Sequence, residues 1–509
     1  MLTLVEEAAR STEEGIKHFI EPAPGTLRRA TNKRHHIVFG RRGSGKSSLL
    51  RKAAADLTVD RRPIAYVNLE AFKGHSYPDV LISVLIKTLR EFEIWLNSAA
   101  IYPTTKKSFW KKLYDSLPTR SSFNKKETAS ISLRLKTKIA ALEAELHRTD
   151  DAQLTMKTGS KKDKKDSVSG KVKSGMTGVL AEMGAQKDVS QSDNRELEEK
   201  YTRSKTDLLH RNILEYQQLF RDLGKLSSGD SYLFLDDLYH IRRSDQANVV
   251  DYFHRIAKDH NLWLKIGSIR HRTRWYIHGD PPIGVKIGDD TDEIDLDLTL
   301  EKYSITKSFL VRILSNFAQE ANMLTISSFI TDGAIDRLVL ASGGVARDFL
   351  SIFRRSVDVA RERGGGHRGD KVGAEDVNVA AGEYDSTKRE EFTRDTLDDG
   401  VTLEDEFQLL KKFCLDDNNS NCFLLDKEAR GHDVELIHEL VDLKLVHLVR
   451  SRVTVSKRPG RIFEAYMLDL SQYAGSRKRR DLDLVEFWKT SSTEALRKAV
   501  LIYEPPQQI

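Results

Sequence analysis

Residues Gly40 to Ser47 read Gly-Arg-Arg-Gly-Ser-Gly-Lys-Ser, and the apolar run Ile37-Val38-Phe39 leads into them. No other stretch of this chain restricts its fold as much. Glycines let backbone N–H groups turn inward around phosphate oxygens, the helix that follows presents its positive end, and a lysine at this spacing reaches the terminal phosphates. A strand must deliver such a loop and a helix must leave it. The spacing therefore predicts a strand–loop–helix unit of an α/β P-loop parallel sheet, with Ser48-Leu49-Leu50-Arg51-Lys52-Ala53-Ala54-Ala55 as the helix. The candidate contacts to a nucleoside triphosphate are Gly40, Arg41, Arg42, Gly43, Ser44, Gly45, Lys46, Ser47 and Ser48. Lys46 is expected on the β/γ-phosphates and Ser47 on Mg²⁺.

Downstream, apolar strand-like runs alternate with helical ones. Pro63 to Leu69 reads as a strand, and Pro78 to Leu96 as a helix with a stripe at Val80, Leu81, Val84, Leu85, Leu89 and Phe92. Ser231 to Asp237 is an apolar run ending in two carboxylates. A buried parallel strand aims such carboxylates at a metal across from the phosphate loop, so Asp236 is assigned the metal and Asp237 the attacking water. Leu262 to Arg270 is a further strand with a polar tip, where Ser268 and Arg270 are placed to hydrogen-bond the γ-phosphate. Arg272 and Arg274 follow; they form either an arginine finger reaching a neighbouring subunit or a solvated basic loop.

These pieces, with Glu293 to Glu301 and Gly343-Gly344-Val345-Ala346-Arg347-Asp348, resemble in order the AAA+ ATPases of the origin-recognition and replication-initiator type. The resemblance covers about Ile37 to Val359 apart from one interruption. It implies ATP and Mg²⁺ as cofactors, a helical lid, and a role for Arg347 at the γ-phosphate from the start of a lid helix. The family's usual Asp-Glu is Asp236-Asp237 here, one methylene shorter, a departure that predicts slower hydrolysis or poorer placement of the water. The Arg270 strand is also similar to that of the STAND signalling ATPases. An ATPase coupling nucleotide state to DNA or self-assembly, a STAND-like signalling or defence ATPase, and a nucleotide-binding scaffold that scarcely hydrolyses thus all remain open.

The remaining organisation is expected as follows. Residues 1–36 flank the nucleotide site, and 37–300 form the core, interrupted by an insertion at 102–206 whose Lys/Ser/Gly/Asp-rich centre includes Lys161-Lys162-Asp163-Lys164-Lys165. Residues 301–385 form the lid, 386–403 an acidic linker, 404–474 a winged helix and 475–509 a basic tail. The winged helix is read from two helical runs, a short strand at Cys422 to Leu425 and two alternating strands around Ser456 to Arg461. Lys457, Arg458 and Arg461 at the wing tip, with Arg477, Lys478, Arg479 and Arg480, are the candidate duplex-DNA contacts. Against that, Asp433, Glu435, Glu439 and Asp442 make the helix before the wing acidic, and winged helices also serve as protein-docking modules. DNA binding is therefore the leading expectation and protein docking the alternative; further copies of the chain (a homo-oligomer) or an effector protein are the other expected partners. The net charge of +6 is mild for 509 residues. Two cysteines, the lack of a 20-residue apolar run and the lack of a signal peptide predict a cytoplasmic chain without a membrane partner.

Overall fold

The computed structural model describes residues 1–8, 19–100, 123–166 and 204–505, without 60, 228, 324, 365–368, 370, 396–399, 430, 475–481, 483 and 490–493. The first strand, β1 (His36–Phe39), shows how the pattern becomes a layer. Ile37 and Phe39 enter one apolar cluster while Val38 enters another, because successive side chains leave opposite faces of a strand. The same division holds in β3 (Ser231–Asp236), where Leu233 and Leu235 face one way and Tyr232 and Phe234 the other. Strands that are apolar on both faces need helices on both.

α2 (Thr26–Thr31) and α3 (Lys46–Val59) cover one face. α4 (Asp79–Ala100), α6 (Ile213–Lys225) and α7 (Arg243–Ala257) cover the other, with α5 (Lys125–Asp166) packed outside α4. Each large apolar side chain buried in this way contributes about 1.5–3 kcal/mol. The stretch Leu133 to His147 of the insertion lies within α5.

β2 (Ile64–Asn68), β4 (Leu262–Ser268) and β7 (Asp292–Asp295) complete a sheet of order β2-β3-β4-β1-β7. Its pairings are parallel and in register: Asn68 faces Asp236, Phe39 faces Ser268, and Phe39 also faces Asp295. One edge of the sheet therefore carries the ends of all five strands together with the start of the glycine-rich loop. A short hairpin, β5 (Tyr276–Ile277) with β6 (Ile283–Gly284), packs on α7.

The lid comprises α8 (Tyr303–Glu320), α9 (Asp332–Ser342), α10 (Ala346–Glu362) and α11 (Ala374–Asp395), with α1 (Leu2–Ala8) against α10. α11 runs to Asp395 and α12 (Gly400–Lys412) begins soon after, so most of the expected acidic linker is helix. Then come β8 (Cys422–Asp426), α13 (His432–Asp442), β9 (Val446–Val453) and β10 (Phe463–Leu468) in an antiparallel sheet of order β8-β10-β9. The described residues 484–489 and 494–505 do not trail away as a tail. They fold back on β8, where Val485 N–H donates to Asn421 Oδ1 and Tyr503 N–H to the Leu424 carbonyl. Lid and winged helix share one apolar cluster, in which Leu338, Phe349 and Val377 meet Val449, Met467 and Leu501. Among the described residues no helix is long and apolar enough to cross a membrane.

Candidate nucleotide-binding site

The loop after β1 turns through Gly43 (φ 90°) and Gly45 (φ 99°), a left-handed backbone that glycine adopts without penalty. Gly43 is also needed for space: a Cβ there would stand 2.8 Å from Arg347 Cβ. The loop borders a cleft of about 300 Å³ lined by Arg42 to Ser48, Asp236, Asp237, Tyr239 and Arg347. Lys46 is buried, and its Nζ donates to the Gly40 carbonyl at 2.7 Å and the Arg41 carbonyl at 3.2 Å. Burial pushes the Lys46 pKa down, against the opposing pull of Asp237, Asp236 and Asp297. The Ser44 hydroxyl is buried and has no hydrogen-bond partner among the described residues.

Asp236 ends β3 and is 1% exposed. Its Oδ2 accepts the Tyr66 hydroxyl at 2.5 Å, while its Oδ1 is buried without a partner among the described residues. Asp237 sits in the left-handed region (φ 60°, ψ 47°), which Asp tolerates better than most residues. Its carboxyl is pushed up to about 6 by burial and by Asp236, with Lys46 opposing. An inward-turned glycine loop, a buried lysine and an unsatisfied buried carboxylate oxygen fit a triphosphate with Mg²⁺, held by Lys46 and the loop amides and by Ser47 and Asp236 respectively.

The structure brings Arg347 to this cleft: it opens α10, and its N–H donates to the Gly43 carbonyl at 3.3 Å. Three expected contacts, Ser268, Arg270 and Arg41, fall elsewhere. The Ser268 hydroxyl bonds Thr273 Oγ1 at 2.5 Å and is fully buried beneath the loop, where its carbonyl accepts Gly40 N–H. Arg270 lies over the Phe39 ring and pairs with Glu293 at 3.1 Å and Asp295 at 3.3 Å, because β7 sets two carboxylates beside it. Arg41 turns away from the cleft; its N–H and Nε donate to Asp297, and its terminal nitrogen to the carbonyls of Leu298 and Gly343. Arg272 lies 5.6 Å from the Tyr239 ring of its own chain. Arg274 is exposed, with its N–H on Gln246.

Sequence reasoning missed the cleft's apolar end, where Phe19, Ile20 and Pro22 meet Phe309, Ile313, Phe317 and Leu350. It also missed the docking of the winged helix. Lys444 pairs with Asp348 of α10 at 3.2 Å and Glu391 of α11 at 2.8 Å. Lys388 pairs with Asp469 at 2.5 Å, and Asp469 accepts His447 Nε2 at 2.7 Å. Gly343 (φ 55°) touches His447 so closely that a Cβ would stand 2.1 Å from the ring. On the core side, Asp442 of α13 accepts His271 N–H at 3.0 Å, Glu439 pairs with Arg243 at 3.1 Å, and the His271 and His438 rings stack 4.9 Å apart. The wing-tip residues lie apart from the cleft: Lys457 is exposed, Arg458 pairs with Glu504 and Arg461 with Asp426, both at 3.1 Å. Arg477, Lys478, Arg479 and Arg480 lie outside the described residues.

Strand order, loop and lid define an α/β P-loop fold with a C-terminal winged helix. No protein-family model and no curated protein matches the sequence. Among solved structures the chain is similar to the ORC1 protein of Aeropyrum pernix in complex with DNA, at 14% identity and a TM-score of 0.35, over 89% of this chain and 91% of that one. That overlap is loose, and the fold class rests on the strand order and the loop.

Proposed function

We propose that the chain is an ATP-binding and ATP-hydrolysing switch of the AAA+ type, in which the bound phosphates set the posture of the winged helix. The observation that carries this reading is the Arg41 side chain, which is 3% exposed and joins the phosphate loop to Asp297, to the Leu298 carbonyl and to the Gly343 carbonyl. Gly343 in turn bears on His447 of the winged helix. A phosphate that reshapes the loop thereby moves the support of a second domain. Packed interfaces respond to such shifts by changing arrangement, because they deform poorly.

In this reading Lys46 and the loop amides hold the β- and γ-phosphates, and Arg347 opposes the charge on the terminal one. Mg²⁺, when held by Ser47 and Asp236, neutralises charge building on the phosphates. Asp237 orients the attacking water through its carboxylate. The output is contact with duplex DNA through the wing, or self-assembly.

The docking of α13 favours a second reading. Its acidic residues Glu439 and Asp442 are engaged by Arg243 and the His271 loop of the core, as in a signalling ATPase held closed until a trigger frees the winged helix. A helix held in this way is withdrawn from a DNA groove. Phosphate release by the full chain, with Lys46→Ala as the blank, tests both readings: stimulation by duplex DNA supports the first, and silence until a protein partner is added supports the second. Equal release by the wild type and Lys46→Ala removes hydrolysis at this site altogether.

A further inference from the structure

The Asp236 carboxylate is gripped by a contact that the phosphate loop does not itself require. Tyr66 stands on β2, beside β3, and donates its phenol hydrogen to Asp236 Oδ2 at 2.5 Å. Its ring stacks on Phe234, with centroids 6.0 Å apart. The Arg51 guanidinium lies 4.9 Å from the Tyr66 centroid, a cation over an aromatic face, and comes from the helix that leaves the phosphate loop. On the other side of the carboxylate, β4 offers Gly267, where a Cβ would stand 2.6 Å from Asp236 Oδ1. The carboxylate plane cannot turn without breaking the Tyr66 bond or moving within this narrow space. One oxygen is thus committed to Tyr66, and the other, buried and without a partner among the described residues, is left for a cation.

We propose that Tyr66 is a positioning residue for the divalent cation: its hydroxyl, steadied by Arg51 and Phe234, fixes the Asp236 carboxylate so that Oδ1 is presented to the metal. This rests on the reading above that Asp236 serves Mg²⁺. Ligating carboxylates are themselves hydrogen-bonded in metal sites, and removing such an outer partner costs about 10–100-fold in metal affinity.

Tyr66→Phe keeps the ring, its stacking and its place under Arg51, and removes the hydroxyl alone. In the full chain, Mn²⁺ is titrated by electron paramagnetic resonance in the presence of a non-hydrolysable ATP analogue, and the analogue's affinity is measured separately in chelator. Tyr66→Phe is expected to weaken Mn²⁺ by about 10–100-fold while leaving the metal-free affinity for the analogue within about twofold of wild type. An unchanged Mn²⁺ affinity overturns the role of Tyr66 and leaves the nucleotide reading intact. Parallel losses with and without metal also overturn it, since they mark a packing defect. A wild-type chain that binds neither analogue nor Mn²⁺ overturns both the nucleotide reading and this inference.

Discussion

Asp469→Asn removes a single charge from an ion cluster sealed between lid and winged helix. Lys388 is 2% and Asp469 1% exposed at the side chain, so no solvent is at hand to take over the lost partner. The ammonium would keep the Ala341 carbonyl at 3.2 Å and the Tyr384 ring at 5.9 Å but lose the carboxylate that balances its charge. Breaking a buried pair from one side costs about 3–5 kcal/mol, and because asparagine still offers an oxygen to Lys388 or His447 the lower end applies, about 3 kcal/mol. The exposed Arg243–Glu439 pair of the same docked domain, with Arg243 55% exposed, is by contrast expected to contribute about 0.2–1 kcal/mol. Burial alone would push the Asp469 carboxyl up, but Lys388 and His447 together hold it well below the usual range. Its contribution is therefore complete above the ordinary carboxylate pKa and lost only as pH falls below about 4. At pH 7 the substitution should show its full effect.

A chain with several domains does not unfold in one step, so the assay is local: hydrogen exchange at two amides that bridge domains. Ser451 N–H donates to Glu301 at 2.8 Å, and His271 N–H donates to Asp442 at 3.0 Å. If undocking is their route to solvent, about 3 kcal/mol speeds exchange at both sites by roughly a hundredfold. A change below about threefold at both amides would refute the claim that this cluster holds the winged helix in place.

Two further substitutions probe the same interface. Gly343→Ala puts a methyl group into the His447 ring at a left-handed φ and should release the winged helix while the lid stays folded. Small-angle scattering would show a larger radius of gyration, and an unchanged profile would contradict the expectation. Asp442→Asn keeps an oxygen for His271 N–H but cannot ionise. The Asp442 carboxyl is pushed up to about 7, first by burial and then by Asp297, so its contribution to docking is present at low pH and lost as pH rises through about 7. The variant should hold His271 N–H protected at pH 8, where the wild type loosens, and equal pH dependence in the two proteins would dismiss the effect.

Much of the fold was readable because the relevant patterns are local. Strand alternation at Ile37 to Phe39 and at Tyr232 to Leu235 decides which face each side chain takes, and the glycine loop can follow only such a strand. The resemblance gives Arg347 a role at the γ-phosphate, and Arg347 lines the cleft beside the loop. What escaped depends on partners distant in sequence. Arg270 and Arg41 look available until β7 and the chain just beyond it bring Glu293, Asp295 and Asp297 beside them. Asp348 meets Lys444 across 96 positions and Lys388 meets Asp469 across 81, and a buried ion pair leaves no period for a local pattern to reveal. The acidity of α13, unsuited to a DNA groove, was the one visible signal of its docking, since Glu439 and Asp442 face basic and N–H groups of the core.

Nucleotide in the Gly40–Ser47 loop, on the proposed function, alters the docking of the winged helix. Hydrogen exchange at the Ser451 and His271 amides, with and without ATP and Mg²⁺, reads that docking at two domain-bridging contacts. ATP is expected to shift exchange at both amides in the wild-type chain and at neither in Lys46→Ala. Identical exchange in wild type saturated with ATP and in wild type free of it would contradict the coupling, whatever the chain's affinity for the nucleotide.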